Sequence, residues 1–458
     1  MDLQFLDRKE EWARLQRFSQ RDKGALAVVY GRRRCGKSRL LVESLADRNL
    51  TYYIADEREA PLQRASLAQE LGVRLPGFQS VIYPDWEALF SRWWAEAPPQ
   101  TVLVLDEFPA LVSQARELPS LLQRQLDHRP PRGCHLALCG SSQRMMQGLV
   151  LDRTAPLFGR AVEILKIGPL RAGWTGVALD LPALQAVEAY AVWGGVPRYW
   201  ELASDYPNTP EAIRQLVLNP LGVLHEEPAS LLLDELKETA QSASILQLIG
   251  NGCHRLSEIS ARLAKPSTSL VRPVQRLVDL EMVSRERPFG VHEKDTKRTL
   301  YHLCDPFLRF WFRYVGPRRS QLQSRQTERV YRQIEPDFPQ HVGSVWEDLA
   351  RQSVPFLDIH GVEWNQAQRW WGPGTDGRPM EIDLVAESLD GQSLLLGSVK
   401  WEEKSDVGRL VKELHAQSGF FPLKGGRQVF LALWLKRPGG GPHPLPVLNP
   451  ETVMSILR

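Results

Sequence analysis

Long apolar runs and helically spaced apolar residues alternate along the first third of the chain. The runs at Ala25–Tyr30 and Thr101–Leu105 are almost entirely apolar, as buried strands of a parallel sheet are. After the first run, Leu40, Leu41 and Leu45 recur with the spacing of one helix face. Strands that alternate with helices are typical of a parallel sheet covered by helices, so this third is predicted to be an α/β domain.

A glycine-rich loop, GRRRCGKS, joins the first strand to the following helix. Glycines let backbone N–H groups close on phosphate oxygens, and the helix N-terminus adds partial positive charge. Lys37 is expected to bridge the β- and γ-phosphates, and Ser38 to ligate Mg²⁺. The order of strand, loop and helix predicts a P-loop, whereas a plain glycine turn is the structural alternative. The predicted nucleotide-binding positions are Gly31, Arg32, Arg33, Arg34, Cys35, Gly36, Lys37, Ser38 and Arg39.

Polar residues also follow two further apolar runs. TVLVLDEF contains Asp106 and Glu107, and HLALCGSS ends in Ser141 and Ser142. Ligands of such sheets bind at the carboxyl ends of the strands, so these residues are expected to face the P-loop. Asp106 would hold Mg²⁺ through water, and Glu107 would activate the attacking water if ATP is hydrolysed. Ser141 would sense the nucleotide, or the serines are only small residues in a turn.

Chain length, charge and cysteine content predict the number of domains and the cellular compartment. A chain of 458 residues is expected to form about three domains at roughly 150 residues each. The net charge of +3 is small, so any nucleic-acid footprint must be local. The five cysteines are scattered without CxxC pairs, which favours reduced cytoplasm over a disulfide framework or a zinc site. Neither a signal peptide nor a membrane-spanning run is predicted.

Two further segments, PLFGRAVEILKIGPL and YAVWGGVPRYW, carry a resemblance beyond the strand-end motifs. With them the chain resembles the archaeal-type ATPases of the AAA+ and STAND-like branch of P-loop NTPases, whose cofactors are ATP and Mg²⁺. The resemblance implies that Arg160, in the GR pair, touches the γ-phosphate. It also implies that Pro197, in the GGVP segment, belongs to a helical lid near the nucleotide. A surface ion pair and a simple turn are the respective alternatives.

The middle of the chain reads as three helices followed by a strand hairpin, a winged helix-turn-helix. In the third helix Leu270, Val274, Leu277 and Leu280 are predicted to form one buried face. Between residues 255 and 298, ten Lys/Arg and six Asp/Glu leave a positive excess that could contact double-stranded DNA. Packing as a lever without DNA is the alternative. Predicted DNA contacts are Ser267, Thr268 and Ser269, which are also expected to cap the helix, together with Arg272 and Arg276.

The C-terminal third resembles the restriction-endonuclease-like domain that follows these ATPases, in the order αβββαβ. Active members bind Mg²⁺ through a helix Glu, a strand Asp and an ExK triplet, and Glu347, Asp383 and Lys400 match three of these positions. Ser398 stands where the triplet has its glutamate. A neutral hydroxyl there should weaken Mg²⁺ binding. The resemblance implies a degenerate nuclease fold that binds DNA or a partner; a live nuclease and a pure scaffold are the alternatives.

The predicted architecture is an α/β P-loop NTPase core at residues 1–170 and a helical lid at 171–235. A winged helix-turn-helix at 236–320 and a restriction-endonuclease-like domain at 321–458 follow. The predicted function is a cytoplasmic ATPase whose nucleotide state controls the C-terminal regions and which acts on DNA, with no membrane partner and oligomers allowed. A non-hydrolysing, ATP-gated DNA-binding switch and an ATP-regulated DNA endonuclease are the alternatives.

Overall fold

The protein is described from a computed structural model that covers residues 4–128, 133–236, 239–292, 298–440 and 442–458. The chain divides into two compact units. One comprises Asp7–Pro169, and the other comprises Leu170–Arg458 with the residues up to Leu6. The predicted lid, winged-helix and nuclease-like regions therefore all belong to the second unit.

A five-stranded parallel sheet forms the centre of the first unit, as the apolar runs predict. The strand order is β2-β3-β4-β1-β5. The strands are β1 (Ala25–Tyr30), β2 (Asn49–Ile54), β3 (Thr101–Asp106), β4 (His135–Gly140) and β5 (Ala161–Lys166). The helices are α1 (Lys9–Ser19), α2 (Lys37–Ser44), α3 (Ala60–Arg74), α4 (Trp86–Glu96), α5 (Phe108–Gln114), α6 (Leu118–His128) and α7 (Gln143–Met146), which continues as a π-helical turn at Gln147–Leu151.

Apolar side chains of the central strands hold this sheet between its helices. Every residue of β3 and β4 is buried, which explains why their sequences are continuous apolar runs rather than alternating ones. Trp86 and Trp93 of α4 are buried in the same core as Leu103 of β3 and Leu136 of β4. The strand ends that carry the polar motifs are therefore anchored in a rigid core.

The second unit begins with helices that include the predicted lid, and then the predicted winged-helix segment. The first helices are α8 (Trp174–Leu179), α9 (Ala183–Trp193), α10 (Pro197–Ala203), α11 (Thr209–Ala212) and α12 (Glu227–Glu235), with a π-helical turn at Ile213–Leu218. They are followed by α13 (Ala240–Gly250), α14 (Leu256–Leu263), α15 (Ser267–Asp279), β6 (Val283–Glu286) and β7 (Leu300–Leu303). The strands β6 and β7 pair antiparallel. Residues 293–297 of the predicted hairpin lie outside the described residues.

Helix α15 buries the face that its apolar spacing predicts. Leu270, Val274, Leu277 and Leu280 are all buried. The predicted serine cap is wrong, because Pro266 occupies the N-cap position and no side chain caps the helix. Pro273 lies inside the helix rather than in its first turn.

Short helices lead to a mixed α/β segment at the C-terminus. The connecting helices are α16 (Pro306–Phe310), α17 (Arg319–Gln323) and α18 (Thr327–Ile334), with a π-helical turn at Trp311–Val315 and a 3-10 turn at Gly316–Arg318. The C-terminal elements are α19 (Phe338–Ser353), a 3-10 turn at Val354–Phe356, β8 (Gln368–Pro373), β9 (Pro379–Glu387), β10 (Ser393–Lys400), α20 (Val407–Phe420), β11 (Gln428–Leu435), β12 (Val447–Leu448) and α21 (Pro450–Ile456).

The C-terminal sheet has the order β12-β11-β10-β9-β8. Strand β9 pairs antiparallel with both β8 and β10, whereas β10 and β11 are parallel. Helix α19 covers one face of this sheet through Val345, Trp346 and Leu349, which share a buried cluster with Leu384 and Leu395. Across the residues that the structure describes, we find no helix with the length and apolar character needed to cross a bilayer.

Candidate functional site

The P-loop follows β1, at the carboxyl edge of the first unit's sheet. Gly31 has φ of +134°, and a Cβ there would lie 2.2 Å from the carbonyl oxygen of Ile167, so only glycine fits. Gly36 has φ of +87° and leads directly into α2, whose first residue is Lys37. The backbone thus turns sharply and presents the N-terminus of α2 to the loop, which is the arrangement that binds a phosphate.

Lys37 is held inside the loop by two carbonyl oxygens. Its Nζ donates to Gly31 O at 2.9 Å and to Arg32 O at 3.0 Å. The side chain is buried, and its ammonium group remains within the loop that would surround a phosphate. Because these two acceptors are neutral carbonyls, a negatively charged phosphate oxygen offers the ammonium group a stronger partner.

Asp106 ends β3 and receives several hydrogen bonds. Ser38 Oγ donates to Asp106 Oδ2 at 2.8 Å, the Glu107 backbone N–H donates to Oδ1 at 2.9 Å, and the Tyr52 hydroxyl donates to Oδ2. Burial alone would raise the pKa of the Asp106 carboxyl, but hydrogen bonds from Cys139, Tyr52 and Ser38 outweigh it and hold the pKa below its usual range. Asp106 is therefore a carboxylate directed at the P-loop serine.

Glu107 is held by a residue from a different strand. It adopts φ of +50°, a left-handed conformation uncommon for a residue with a side chain. Ser141, directly after β4, donates from its Oγ to Glu107 Oε1 at 2.6 Å. Ser142 instead accepts a hydrogen bond from the Met145 N–H and caps α7. The two adjacent serines thus have separate roles, one toward Glu107 and one in the helix.

These residues fit Mg-ATP by the chemistry of their donors. Ser38 and Asp106 offer hard oxygen atoms, the type that Mg²⁺ prefers. Lys37 and the N-terminus of α2 offer positive charge for phosphates. Strands β1, β4 and β3 are neighbours in a parallel sheet, so their carboxyl ends lie at the same edge. The P-loop and the residues that follow β3 and β4 are therefore close to one another. The predicted residues Lys37, Ser38, Asp106, Glu107 and Ser141 are therefore brought to the same edge.

Arg160 lies at the opposite edge of this sheet, which corrects its predicted contact with a nucleotide in the same chain. It directly precedes β5, whose first residue, Ala161, pairs with Leu26 near the start of β1. A six-residue strand separates this edge from the P-loop by roughly 20 Å. The Arg160 guanidinium makes a two-bond ion pair with Asp127, at 3.0 and 2.9 Å. The alternative, a surface ion pair, describes this arginine.

Pro197 occupies the first position of α10, in the second unit. The preceding glycines pack tightly, since a Cβ on Gly195 would lie 2.0 Å from the carbonyl oxygen of Leu170. A proline is well suited to a first helical position, because the N–H that it lacks has no partner inside the helix there. Its approach to the nucleotide stays a prediction.

The exposed side of α15 carries cations without acidic partners. Arg272 and Arg276 are exposed on α15, and Arg262 and Lys265 are exposed just before it. Among the described residues, none of these four side chains makes a hydrogen bond or an ion pair. Ser267, Thr268 and Ser269 are exposed beside them. This face can therefore contact a polyanion without first breaking an ion pair within the protein.

The arginines of the segment DPFLRFWFR, residues 305–313, and Arg319 just after it differ from these cations, because each has a protein partner. Arg309 Nη1 lies 2.6 Å from Asp348 Oδ2, and Arg313 forms two hydrogen bonds with Asp337, at 2.9 and 3.0 Å. Arg319 pairs with Glu226. These side chains hold α16 and the π-helical turn against neighbouring helices, so the basic sequence here serves the fold.

The predicted nuclease-like residues Asp383, Ser398 and Lys400 lie together on β9 and β10. Lys400 Nζ lies 3.1 Å from Asp383 Oδ2, and the Val399 N–H and Ser398 Oγ approach the same oxygen at 2.9 and 3.4 Å. Burial would lower the pKa of Lys400, but the nearby Asp383 charge raises it above its usual value. Glu381, two residues before Asp383 on β9, pairs with Arg369.

Glu347 of α19 lies near enough to this cluster for the charge of Asp383 to act on it. Burial, and then the charge of Asp383, raise the pKa of the Glu347 carboxyl to about 7. Arg351 pairs with both Glu347, at 3.7 Å, and Asp348, at 2.7 Å. Within the part of the chain that the structure describes, no group of three or more His, Cys, Asp or Glu side chains is arranged to hold a metal ion.

Sequence reasoning missed Tyr52, which reaches Asp106 from β2. The segment TYYIADE indicates a strand but gives no sign of which tyrosine faces the site. The missing information is strand order: β2 is the neighbour of β3, with Tyr52 paired to Val104 two residues before Asp106.

Two families match parts of the chain. Residues 5–201 match a family described as an ATPase domain predominantly from Archaea. Residues 311–411 match a family described as archaeal and bacterial proteins of unknown function. The first match contains the P-loop, Asp106, Glu107 and Ser141.

A relative and a solved structure extend these matches. The uncharacterized protein MJECL04 of Methanocaldococcus jannaschii is 28% identical over 429 residues, covering 90% of this chain and 92% of the relative. The structure of the Walker-type ATPase PABY2304 of Pyrococcus abyssi is similar with a TM-score of 0.51 and 20% identity, covering 68% of this chain and 96% of that one. The structural likeness bears on the fold alone.

Proposed function

We propose that this chain, an ATPase whose ATPase domain spans residues 5–201, uses Glu107 as its catalytic base and contacts duplex DNA through α15. The observation that carries the catalytic part is the pair of strand-end contacts. Ser38 is hydrogen-bonded to Asp106, and Ser141 to Glu107, beside the P-loop. A metal-directed pair and a base-directed pair thus lie at one edge of the sheet.

Each residue at this edge has a distinct role in the proposed reaction. Lys37 exchanges its carbonyl partners for phosphate oxygens and neutralises their charge. Ser38 and Asp106 would hold Mg²⁺, which would supply positive charge to the phosphate oxygens. Glu107 accepts a proton from the attacking water, and Ser141 holds the Glu107 carboxylate in place until water and nucleotide are bound.

Glu107→Gln tests the catalytic part, because it keeps the size of the side chain and removes its basicity. We expect ATP affinity to be unchanged and ATP turnover to fall roughly 100-fold or more, the range of general-base catalysis. Glu87→Gln is a matched control, since Glu87 is exposed and pairs with Arg124 on the helical side of the same unit. If wild-type turnover does not exceed that of Glu107→Gln, the protein is instead a non-hydrolysing ATP-binding switch.

Helix α15 is a better candidate for DNA contact than the DPFLRFWFR segment, because its arginines have no acidic partners among the residues that the structure describes. A cation that already has a carboxylate partner must lose it before it binds a phosphate, whereas Arg272 and Arg276 have no such cost. Their positions, four residues apart, place them on one side of the helix. Counterion release from DNA then supplies much of the binding free energy.

The double variant Arg272→Ala/Arg276→Ala tests this contact. We expect weaker binding of a DNA duplex, with the slope of log affinity against log salt reduced by about 2. The control is Arg329→Ala/Arg332→Ala, which removes two exposed arginines from α18, where Arg332 already pairs with Glu328. Equal losses in both variants would show only a general charge effect. Repeating the titration with ATP, with ADP and without nucleotide tests whether nucleotide state controls the contact.

We also propose that the C-terminal α/β segment does not cleave DNA and acts as a binding fold. The support is that Lys400 already neutralises Asp383, while Ser398 adds no charge. Metal-dependent cleavage of plasmid DNA that Asp383→Ala abolishes would overturn this and favour an ATP-regulated endonuclease.

A further inference from the structure

We infer that Tyr52 is a positioning residue of the magnesium site: its hydroxyl fixes the Asp106 carboxylate so that the Ser38 hydroxyl donates its hydrogen bond to Asp106 and keeps its lone pairs for the metal. The inference rests on the proposed nucleotide site. It concerns a strand, β2, that the P-loop, the Asp106–Glu107 pair and Ser141 leave without a role.

The geometry places two hydroxyl groups on one carboxylate oxygen. Ser38 Oγ donates to Asp106 Oδ2 at 2.8 Å, and Tyr52 Oη donates to the same oxygen. The other oxygen, Oδ1, accepts the Glu107 N–H at 2.9 Å. Tyr52 reaches this point because β2 lies beside β3 in parallel register, with Ile54 opposite Asp106.

This arrangement restricts how the carboxylate can turn. A carboxylate oxygen has about two lone-pair sites, so the two hydroxyl groups together occupy Oδ2. Rotation of the carboxylate would break charge-assisted hydrogen bonds at both oxygens, in a buried place where water replaces them poorly. With the carboxylate fixed, the single proton of Ser38 points at Oδ2, and the serine lone pairs remain directed elsewhere.

Tyr52 adds a second donor to the oxygen that Ser38 uses. Its hydroxyl reaches Asp106 Oδ2 from β2, whereas the Ser38 hydroxyl reaches the same oxygen from α2. Without Tyr52, Ser38 would be the only side-chain hydroxyl on Oδ2, and the carboxylate would lose the hydrogen bond that ties it to β2.

The neighbouring tyrosine offers a matched control. Tyr53 points to the other face of β2, where its hydroxyl donates to the carbonyl oxygen of Gln63 at 3.2 Å. It is more buried than Tyr52, and its removal costs a hydrogen bond in the same strand without touching Asp106. Tyr52→Phe and Tyr53→Phe therefore make the same chemical change one residue apart.

Nucleotide binding at equilibrium, measured by calorimetry with ADP in EDTA and in Mg²⁺, tests the inference without turnover. We expect Tyr52→Phe to bind ADP in EDTA like the wild type, and to lose about tenfold of the extra affinity that Mg²⁺ provides. Tyr53→Phe should keep that gain. The inference is overturned if Tyr52→Phe keeps the full Mg²⁺ gain, or if it loses ADP affinity in EDTA by the same factor.

A double-mutant cycle of Tyr52→Phe and Ser38→Ala separates a role at the magnesium site from a purely structural role of Tyr52. The quantity measured is the gain in ADP affinity that Mg²⁺ provides. If Tyr52 acts through Asp106 on Ser38, Tyr52→Phe should change the Mg²⁺ gain little once Ser38→Ala is present. Additive losses would overturn the inference. A wild-type chain that binds no ADP under either condition would sink the proposed nucleotide site itself, which is a different outcome.

Discussion

Ser141 and Glu107 come from different strand ends, and the Ser141 hydroxyl lies 2.6 Å from Glu107 Oε1. Glu107 adopts a left-handed backbone between β3 and α5, and its carboxylate accepts a hydrogen bond from Ser141, directly after β4. The pair joins the end of β4 to the proposed catalytic base.

We predict that Ser141→Ala lowers ATP turnover about tenfold without changing ATP affinity, because a hydrogen bond to a carboxylate contributes roughly 1.5 kcal/mol or more. Steady-state turnover and equilibrium binding measure the two effects separately. Ser142→Ala is the control: it removes the cap of α7, so it should cost about 1 kcal/mol of stability and leave turnover per folded molecule unchanged. Equal turnover in the wild type and Ser141→Ala would contradict the prediction.

Arg160→Ala should affect stability and leave nucleotide affinity intact. The change removes the two-bond pair with Asp127, which is partly exposed, so we expect a loss of about 0.5–1 kcal/mol in the free energy of unfolding. Denaturant titration and ADP binding measure the two quantities. A variant that binds ATP normally but no longer hydrolyses it would instead show that Arg160 acts on a nucleotide held by another copy of the chain.

Ser398→Glu should create metal affinity in the C-terminal segment. A glutamate at this position would place a second carboxylate beside Asp383, whose Oδ2 already lies 3.4 Å from Ser398 Oγ. The variant should melt at a higher temperature in Mn²⁺ or Mg²⁺ than in EDTA. Ser398→Gln has the same size without the charge and serves as control. If both variants respond alike to the metal ion, the two strands do not form a metal site.

Glu347 should make stability fall as the pH rises. Its pKa is about 7 in the folded protein and near 4.5 when unperturbed, so the folded state binds the proton more tightly. Its stabilising contribution is therefore full below about pH 4.5 and is lost as pH rises through 7. Glu347→Gln should remove this loss, which we put at about 1 kcal/mol because the side chain is one-third exposed.

Unfolding by denaturant at pH 5 and pH 8 measures that difference. Glu413→Gln is the control, since Glu413 is exposed and pairs with Arg409. A wild-type protein whose pH dependence equals that of Glu347→Gln would show that the carboxyl is not perturbed.

The local sequence predicts the strands that carry the nucleotide motifs, because their apolar runs are continuous. The run Ala25–Tyr30 is β1 as observed, and the Asp106 motif begins where β3 ends. The periodic spacing in α15 predicts its buried face equally well. In both cases the signal lies within one element, where burial leaves a direct mark on residue type.

Most of what the sequence does not predict depends on the order of strands. Arg160 lies at the wrong edge because β5 runs parallel to β1 and starts beside Leu26. Tyr52 reaches Asp106 because β2 is next to β3. The serines in the first turn of α15 do not cap it because Pro266 takes the N-cap position. Each of these outcomes depends on a neighbour that local patterns of apolar residues do not specify.

The ion pairs of Arg309 and Arg313 have a consequence for dividing the chain. Arg309 and Arg351 flank Asp348; against the effect of burial, they lower the pKa of its carboxyl to about 2. A truncation after residue 320, the boundary that the sequence predicts, would remove Asp337 and Asp348 and strand both arginines among apolar aromatic side chains. Removing one member of a partly buried ion pair is destabilising, because the charge that remains has lost its partner. Such a truncated protein would report misfolding rather than the contribution of the C-terminal segment, so point substitutions on its surface are the sounder probe.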